Sequence, residues 1–183
     1  LLIPALLIEA WLEFRTTRRW NWGWLFIGGV ALGVGGYLLL NYTVYGDPFT
    51  FMRIQGEHWN KTLTWPWLGI WEVIKAIGWR TPREAALLGI QELIFIVLSF
   101  VATVVCFVRL RLSYAAWMAT NWLLFTSTSF VYSVPRFCLI LFPIYLLFAR
   151  AAQDRRWLMV ITVWSLLTMS LFIGMFVTER GAY

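Results

Sequence analysis

Long apolar runs constrain this sequence more than any other feature. Five of them are predicted to be membrane-spanning helices: residues 22–40, 86–108, 114–132, 137–148 and 157–177. At 1.5 Å rise per residue, four have adequate length to cross a hydrocarbon core. Hydrophobic residues make up 61% of the chain and charged residues 13%, against about 45–50% and about 25% in soluble domains. This composition excludes a cytosolic enzyme, a disordered tail and a disulfide-stapled secreted module.

The sequence begins with a shorter apolar stretch at residues 1–11. It is too short to span a bilayer and lacks the basic leader of a signal peptide. We expect it to be the second half of a helix, so that residues 1–183 are a single transmembrane domain from the C-terminal part of a larger membrane protein. The predicted fold class is all-α: a polytopic transmembrane helix bundle with about five full spans, one truncated span and a non-cytosolic loop containing short interfacial helices.

Arginine placement predicts the orientation. Three clusters fall on alternate connections between the apolar runs, so all can face the cytosol together. These are Arg15, Arg18 and Arg19, then Arg109 and Arg111, then Arg150, Arg155 and Arg156. The net charge of the chain is +6. Its basic residues lie singly or in pairs between the apolar runs, which is typical of contact with lipid headgroups. No nucleic-acid partner is expected.

Small residues predict close packing inside the bundle. Residues 26–37 (FIGGVALGVGGY) contain five glycines, and the spacing of Gly29 and Gly33 is typical of a tightly packed helix face. The two cysteines, Cys106 and Cys138, are expected to be small core residues instead of a disulfide.

The one long connection, about residues 43–83, is expected to form a cap on the external side. Residues 45–48 (YGDP) are a turn signal, with Asp47 as helix cap and Pro48 at the first helical position, so residues 49–60 are predicted to be a short helix. Residues 67–79 place Trp and Ile side chains on one stripe, which predicts a helix in the interface plane. The stripe contains Trp67, Ile70, Trp71, Ile74 and Ile77.

Polar groups of this cap are the first candidates for a binding site: Asp47, Arg53, Gln55, Glu57 and His58. Asp47 is favoured as a cap residue over a catalytic base. The single histidine and the absence of a cysteine cluster make a protein metal site unexpected. Glu92 is expected to make interfacial or interhelical hydrogen bonds and not to relay protons.

Residues 137–148 are the exception among the apolar runs, because 12 residues make only about 18 Å of helix. A helix beginning near Pro135 would draw Arg136 towards membrane depth, in a first turn whose dipole favours anions. Charges at that depth usually have a function. Arg136 is therefore expected either to bind a lipid-linked phosphate or to extend to lipid headgroups.

Two patches resemble a known family. Residues 41–59 (NYTVYGDPFTFMRIQGEHW), followed by Trp65-Pro66, and residues 133–149 (SVPRFCLILFPIYLLFA) are similar to the PIG-V type mannosyltransferases, which include the second mannosyltransferase of GPI-anchor assembly. The resemblance implies a multi-pass GT-C glycosyltransferase that transfers a sugar from a polyprenyl-phosphate donor to an acceptor hydroxyl on the non-cytosolic side. The acidic catalytic residue of that family lies in an earlier external loop, so no catalytic residue is assigned here.

Substrate-binding candidates combine this resemblance with the polar groups of the cap. They are Arg136, Asp47, Gln55, Trp59, His58 and Arg53. The expected partners are the bilayer, the lipid-linked donor, which is the only cofactor-like molecule, and a glycan or glycolipid acceptor. A bacterial plasma membrane is favoured over the endoplasmic reticulum. A transporter or permease and a non-catalytic membrane scaffold subunit remain the alternatives.

Overall fold

Helices account for nearly all of the structure, a computed structural model that describes residues 1–79, 89–131 and 133–177. The remaining order is one isolated antiparallel bridge between Leu63 and Thr128. The elements are α1 (Leu2–Thr17), a 3-10 turn (Trp22–Phe26), α2 (Ile27–Tyr45), α3 (Thr50–Trp59), α4 (Pro66–Trp79), α5 (Gln91–Arg109), α6 (Leu112–Thr126), α7 (Val134–Cys138), α8 (Pro143–Ala151) and α9 (Arg155–Val177).

Among the described residues, three segments are long and apolar enough to cross a membrane: Trp22–Tyr45, α5 and α9. Their large apolar side chains face outwards, as Leu32 (77% exposed) and Phe176 (75% exposed) illustrate. The chain exposes 12812 Å², whereas a compact soluble monomer of 21.4 kDa would expose about 9,100 Å². Apolar surface on this scale is stable only when lipid or protein covers it. The all-helical prediction is confirmed, and the count of five spans is not.

The predicted span at residues 114–132 is wrong in length. Helix α6 ends at Thr126, and 15 residues make only about 22 Å. The chain then leaves the helix and pairs with the α3–α4 connection, where the N–H of Thr64 bonds to the carbonyl of Ser127 and the N–H of Ser129 bonds to the carbonyl of Thr62. Tyr132 itself lies outside the described residues, as do Ala86 at the start of another predicted span and Arg83 at the end of the predicted cap.

The core lies among α5, α6, α7 and α8. Its fully buried side chains include Met118, Leu141 and Val134. Cys106 is buried within it and Cys138 is half-buried, and both are free thiols, so the prediction of core cysteines is confirmed. Helix α1 packs along α6 and α9 packs on α8, whereas the main contacts of α2 among the described elements are with its neighbours in sequence, α1, the 3-10 turn and α3.

Two of the predicted arginine clusters meet at one end of the bundle. Arg111 Nη1 lies 3.0 Å from Glu9 Oε1 of α1, and Arg150 at the end of α8 donates to the carbonyl of Arg109 at the end of α5. The first cluster lies at the C-terminal end of α1, the last residue of which is Thr17. This arrangement agrees with the alternate placement in the sequence, while its assignment to the cytosolic side stays a prediction.

The glycine-rich face of α2 departs from the prediction of close packing. A Cβ atom built at Gly29 or Gly33 would meet nothing within 4 Å, and the same holds for Gly28, Gly35 and Gly36. Within the described residues, no helix therefore lies against this face. The spacing alone was a weak guide because it is common in membrane helices whether or not a neighbour is present.

The predicted cap helices are both present, as α3 and α4; their placement at a membrane interface stays a prediction. In α4 only part of the Trp and Ile stripe packs against the rest of the protein, since Trp67, Trp71 and Ile74 are exposed. The buried positions are Gly69 and Val73. At Gly69 the helix crosses the end of α6 so closely that a Cβ would lie 2.2 Å from the carbonyl oxygen of Thr126.

Gly69→Ala is therefore expected to destabilise the protein by about 1–3 kcal/mol, because a backbone carbonyl cannot move aside as a side chain can. Gly78 supplies a matched control on the same helix, since its Cβ would meet nothing within 4 Å. Gly78→Ala should be neutral or stabilising by up to about 1 kcal/mol. Thermal unfolding midpoints in one detergent would measure both. Equal midpoints for the two variants would contradict the close crossing.

Candidate functional site

One buried carboxylate positions the short helix α7. Glu92, in the first turn of α5, is 3% exposed. Its Oε1 accepts a hydrogen bond from the N–H of Ser133 at 2.9 Å, and its Oε2 accepts one from the N–H of Val134 at 2.7 Å. Bonds to an ionised acceptor are roughly twice as strong as neutral ones. The prediction that Glu92 makes interhelical hydrogen bonds is confirmed.

This carboxylate also corrects the prediction for the N-terminus of the Arg136 helix. That terminus was expected to favour an anion from a ligand, but the acceptor at its first N–H groups is Glu92 of the same chain. Ser133, the residue before α7, has a left-handed backbone with φ of 64°. The helix N-terminus is therefore not the phosphate site, and any anion at this place must be bound by the Arg136 side chain.

The predicted short helix at residues 137–148 is also wrong, because it is divided. Helix α7 ends at Cys138 and α8 begins at Pro143. Within the intervening turn the side chain of Leu141 is buried, and the carbonyl of Ile140 accepts a hydrogen bond from Trp117 Nε1 at 3.2 Å. Because Pro143 has no N–H to donate, it can begin a helix but is poorly suited to continue one. The break is therefore built into the sequence and held by α6.

Arg136 lines a cavity of about 670 Å³ between α5, the α7–α8 pair and α9. Arg136 is exposed, and it is among the residues that line this cavity. Most other lining side chains are apolar, and the polar exceptions include the hydroxyls of four residues. The lining consists of Phe95, Leu98, Ser99, Pro135, Arg136, Cys138, Leu139, Ile144, Tyr145, Phe148, Trp164, Ser165, Thr168, Met169, Phe172, Ile173 and Phe176. We call it the Arg136 cavity.

A second cavity of about 680 Å³ lies on the opposite side of α7. Phe137 and Ile140 face it, whereas their neighbours Arg136 and Leu139 face the first cavity. Its lining is Leu1, Phe51, Met52, Gln55, Lys61, Thr62, Leu63, Asn121, Leu124, Phe125, Thr128, Phe137 and Ile140. We call it the Lys61 cavity. Helix α7 and the turn after it are thus a wall between two cavities, each with one cationic side chain.

Lys61 is held in place by a set of hydrogen bonds around Ser129. The N–H and the hydroxyl of Thr62 both donate to Ser129 Oγ, at 3.0 and 2.9 Å. Ser129 Oγ in turn donates to the carbonyl of Asn60 at 2.9 Å. The N–H of Lys61 donates to the carbonyl of Gln55 at 3.1 Å. These bonds join the α3–α4 connection to the segment after α6, and we call them the Thr62–Ser129 clasp.

The ammonium group of Lys61 has an unusual environment for a connecting segment. Its Nζ lies 5.6 Å from the ring centroid of Phe137, within cation–π range. Burial lowers the pKa of Lys61 below its ordinary value, and the negative charge of Glu92 opposes that shift. Desolvation therefore outweighs the attraction of the carboxylate, and an anion brought next to this amine would raise its pKa again.

Asp47 is placed as a structural residue, close to the prediction. Its Oδ1 accepts from the N–H of Phe49 at 2.9 Å, and its carbonyl accepts from the hydroxyl of Thr50 at 2.9 Å. The helix begins later than predicted, at Thr50 with Phe49 as the capping residue. Asp47 and Pro48 therefore form the turn before α3, and Gly46 ends α2 with φ of 74°.

The other predicted cap residues are not brought together with Arg136. Gln55 lines the Lys61 cavity. Arg53 is exposed and lies 3.9 Å from Glu57, one helical turn away. His58 and Trp59 are exposed at the end of α3. Substrate binding by these residues stays a prediction, but the described geometry divides the candidates between two cavities and an open helix surface.

The residue that the sequence reasoning missed is Lys61. In the sequence it occurs in Asn60-Lys61-Thr62, a loop tripeptide with no apolar pattern around it. The only signal was a single cation beside an aromatic-rich helix. Among residues 1–79, 89–131 and 133–177, no three His, Cys, Asp or Glu side chains are grouped so that they could hold a metal ion.

Comparisons with known proteins do not add to this geometry. A scan against protein-family profiles finds no match, and searches of curated proteins and of solved structures find none either. The function must therefore be argued from the residues and cavities themselves.

Glu92→Gln is expected to loosen α7, because an amide can accept through only one oxygen and its NH₂ group would face a backbone N–H. The loss should be about 1–3 kcal/mol of unfolding free energy. Hydrogen exchange at the amides of Ser133 and Val134 should become faster in the same variant. Glu72→Gln is the matched control, since Glu72 pairs with Lys75 on an exposed surface and should contribute about 0–1 kcal/mol. Unchanged exchange at both amides in Glu92→Gln would contradict the capping role.

Proposed function

We propose that this chain is part of a multi-pass membrane glycosyltransferase that takes a sugar from a polyprenyl-phosphate donor and passes it to an acceptor hydroxyl on the non-cytosolic side. Transfer of mannose is the specific form that the family resemblance suggests. The observation that carries the proposal is Arg136 at the edge of a large apolar cavity between α5, α7–α8 and α9.

The Arg136 cavity suits a molecule with a long apolar chain and one anionic group. Phe95, Phe148 and Phe172 supply apolar surface along its walls, and Arg136 supplies a positive charge. Guanidinium binds phosphate oxygens through paired N–H donors, a geometry that lysine does not offer. The hydroxyls of Ser165 and Thr168 add polar groups on α9. A polyprenyl phosphate has both parts in the required order.

Charge stabilisation follows from the same placement. When the bond between the sugar and the lipid phosphate breaks, negative charge increases on the leaving phosphate. A positive group already held near that oxygen lowers the barrier most when it needs no rearrangement. Arg136 is on a helix whose first N–H groups are tied to Glu92, so its backbone position is set before the substrate arrives. No proton-accepting residue is assigned among residues 1–183.

Exposed aromatic side chains of the predicted cap are proposed to contribute to sugar binding. Trp65 and Trp67 are stacked with ring centroids 5.0 Å apart and an interplanar angle of 9°, and both are exposed. Trp59 is exposed at the end of α3. Such surfaces stack on sugar rings and keep water from the reacting bond. A bacterial plasma membrane is the proposed location.

A permease is the second candidate, and one observation favours it. Discontinuous helices with buried ionisable residues are typical of substrate sites in transporters, and the α7–α8 break next to Glu92 has that form. Within the described helices no second break occurs in a corresponding half of the chain, as an inverted repeat would require. Uptake of labelled sugars into vesicles that contain the full protein but no lipid-linked donor would favour the permease.

Arg136→Ala in the full-length protein is expected to reduce sugar transfer from a polyprenyl-phosphate donor by about 10²–10³-fold, with unchanged amounts of protein in the membrane. Arg136→Lys should restore part of the rate, because the charge returns without the planar pair of donors. The assay is transfer of labelled sugar to a panel of acceptors in membranes. Arg155→Ala, at the start of α9, is the control arginine and should leave the rate unchanged. Normal transfer by Arg136→Ala would remove Arg136 from the site.

A further inference from the structure

We propose that the Lys61 cavity is a second lipid site, which binds an anionic membrane lipid with its acyl chain inside the cavity and its phosphate against Lys61. The proposal rests on the cavity on the α3 and α6 side of α7. It is independent of the sugar-transfer proposal, because it concerns a different cavity and is measured by lipid contact.

The cavity has the composition that an amphiphile requires. At about 680 Å³, it falls within the usual range for small-molecule pockets. Its walls are apolar side chains from three elements, including Phe51 and Met52 of α3, Leu124 and Phe125 of α6, and Phe137 of α7. An acyl chain that enters from the bilayer exchanges one apolar environment for another here and packs against these walls by van der Waals contact. A free inorganic anion would leave the same walls without a partner.

The polar end of the cavity selects the sign of the headgroup. Lys61 is the charged residue in its lining, and the accompanying polar groups are Gln55, Thr62, Asn121 and Thr128. None of the three ion pairs between described residues involves Lys61. The pKa direction agrees, since burial disfavours the charged amine and a phosphate beside it would restore that charge. A zwitterionic headgroup would place its own cation near Lys61 and gain less.

The position of Lys61 is set before binding. The Thr62–Ser129 clasp fixes the backbone on one side of Lys61, and its own N–H bonds to the carbonyl of Gln55. The ring of Phe137, which lies under the ammonium group, is itself stacked on Phe125 with a centroid distance of 6.0 Å. A cation on an ordered backbone loses less freedom when it binds a headgroup than one on an open loop.

The test is photolabelling of the full protein in phosphatidylcholine nanodiscs. The probe is phosphatidylglycerol with a diazirine on its acyl chain, and the adducts are located by mass spectrometry. We expect adducts on peptides covering residues 51–63 and 124–128, at least about fivefold more than with the same probe built on phosphatidylcholine. Lys61→Gln should reduce the phosphatidylglycerol adducts there by about tenfold, the loss typical of a charge-assisted contact. Lys61→Arg should retain them.

Two further variants keep the result interpretable. Lys75→Gln removes a positive charge on α4, where Lys75 pairs with Glu72, and should not change the adducts. Met52→Trp fills the cavity and should reduce adducts with both probes. Labelling of α9 next to Arg136 reports that Lys61→Gln is still folded. Equal labelling by the two probes in the unmodified protein, or undiminished labelling in Lys61→Gln, would overturn the second lipid site; neither result would bear on sugar transfer.

Discussion

The bonds from one carboxylate to two backbone amides determine where the central part of this structure lies. Helix α7 has five residues, and a helix that short does not form by itself. It is held because Glu92 of α5 accepts from Ser133 and Val134. A carboxylate that is 3% exposed is itself tolerated only with such donors. Each partner is therefore stabilised by the other, and the boundary between the two cavities follows from the pair.

The second support of this region comes from tryptophan. Trp117 donates to the carbonyl of Ile140, which also accepts from the N–H of Phe142, and Trp122 donates to the carbonyl of Ile96 on α5. Both indoles are on α6. An unbonded carbonyl in apolar surroundings is costly. The break makes its own turn bonds, in which the N–H groups of Ile140, Leu141 and Phe142 donate to the carbonyls of Phe137, Cys138 and Ile140, and Trp117 adds a second donor to the last of these.

The sequence was sufficient to predict the positions of those helices whose apolar pattern lies within their own segment. The positions of α3, α4, α5 and α9 follow from run length and turn signals, since a helix forms its hydrogen bonds within its own segment. The end of α6 at Thr126 could not be read in this way, because it depends on pairing with Thr62 and Thr64, more than sixty residues away. The α7–α8 break likewise depends on Trp117, although Pro143 was a visible local signal.

The candidate site was predictable only in part for the same reason. Arg136 was identified from a charge next to an undersized apolar run, and the structure places it at a cavity. Its relation to Glu92 was not visible, because 41 residues separate Glu92 from Ser133. Lys61 has no pattern in the sequence at all; its environment is produced by Phe137 and the Thr62–Ser129 clasp.

The wall that the Arg136 cavity and the Lys61 cavity share has a thermodynamic consequence. Phe137 and Ile140 face the Lys61 cavity, whereas Arg136 and Leu139 face the Arg136 cavity. A molecule that moves this wall when it enters one cavity therefore changes the shape of the other. Linkage then requires the effect to be mutual: each occupant alters the affinity of its neighbour by the same factor. A ligand that shifts nothing would leave the two equilibria separate. Because the shared wall is only α7 and the turn after it, a displacement of these few residues would alter both cavities together.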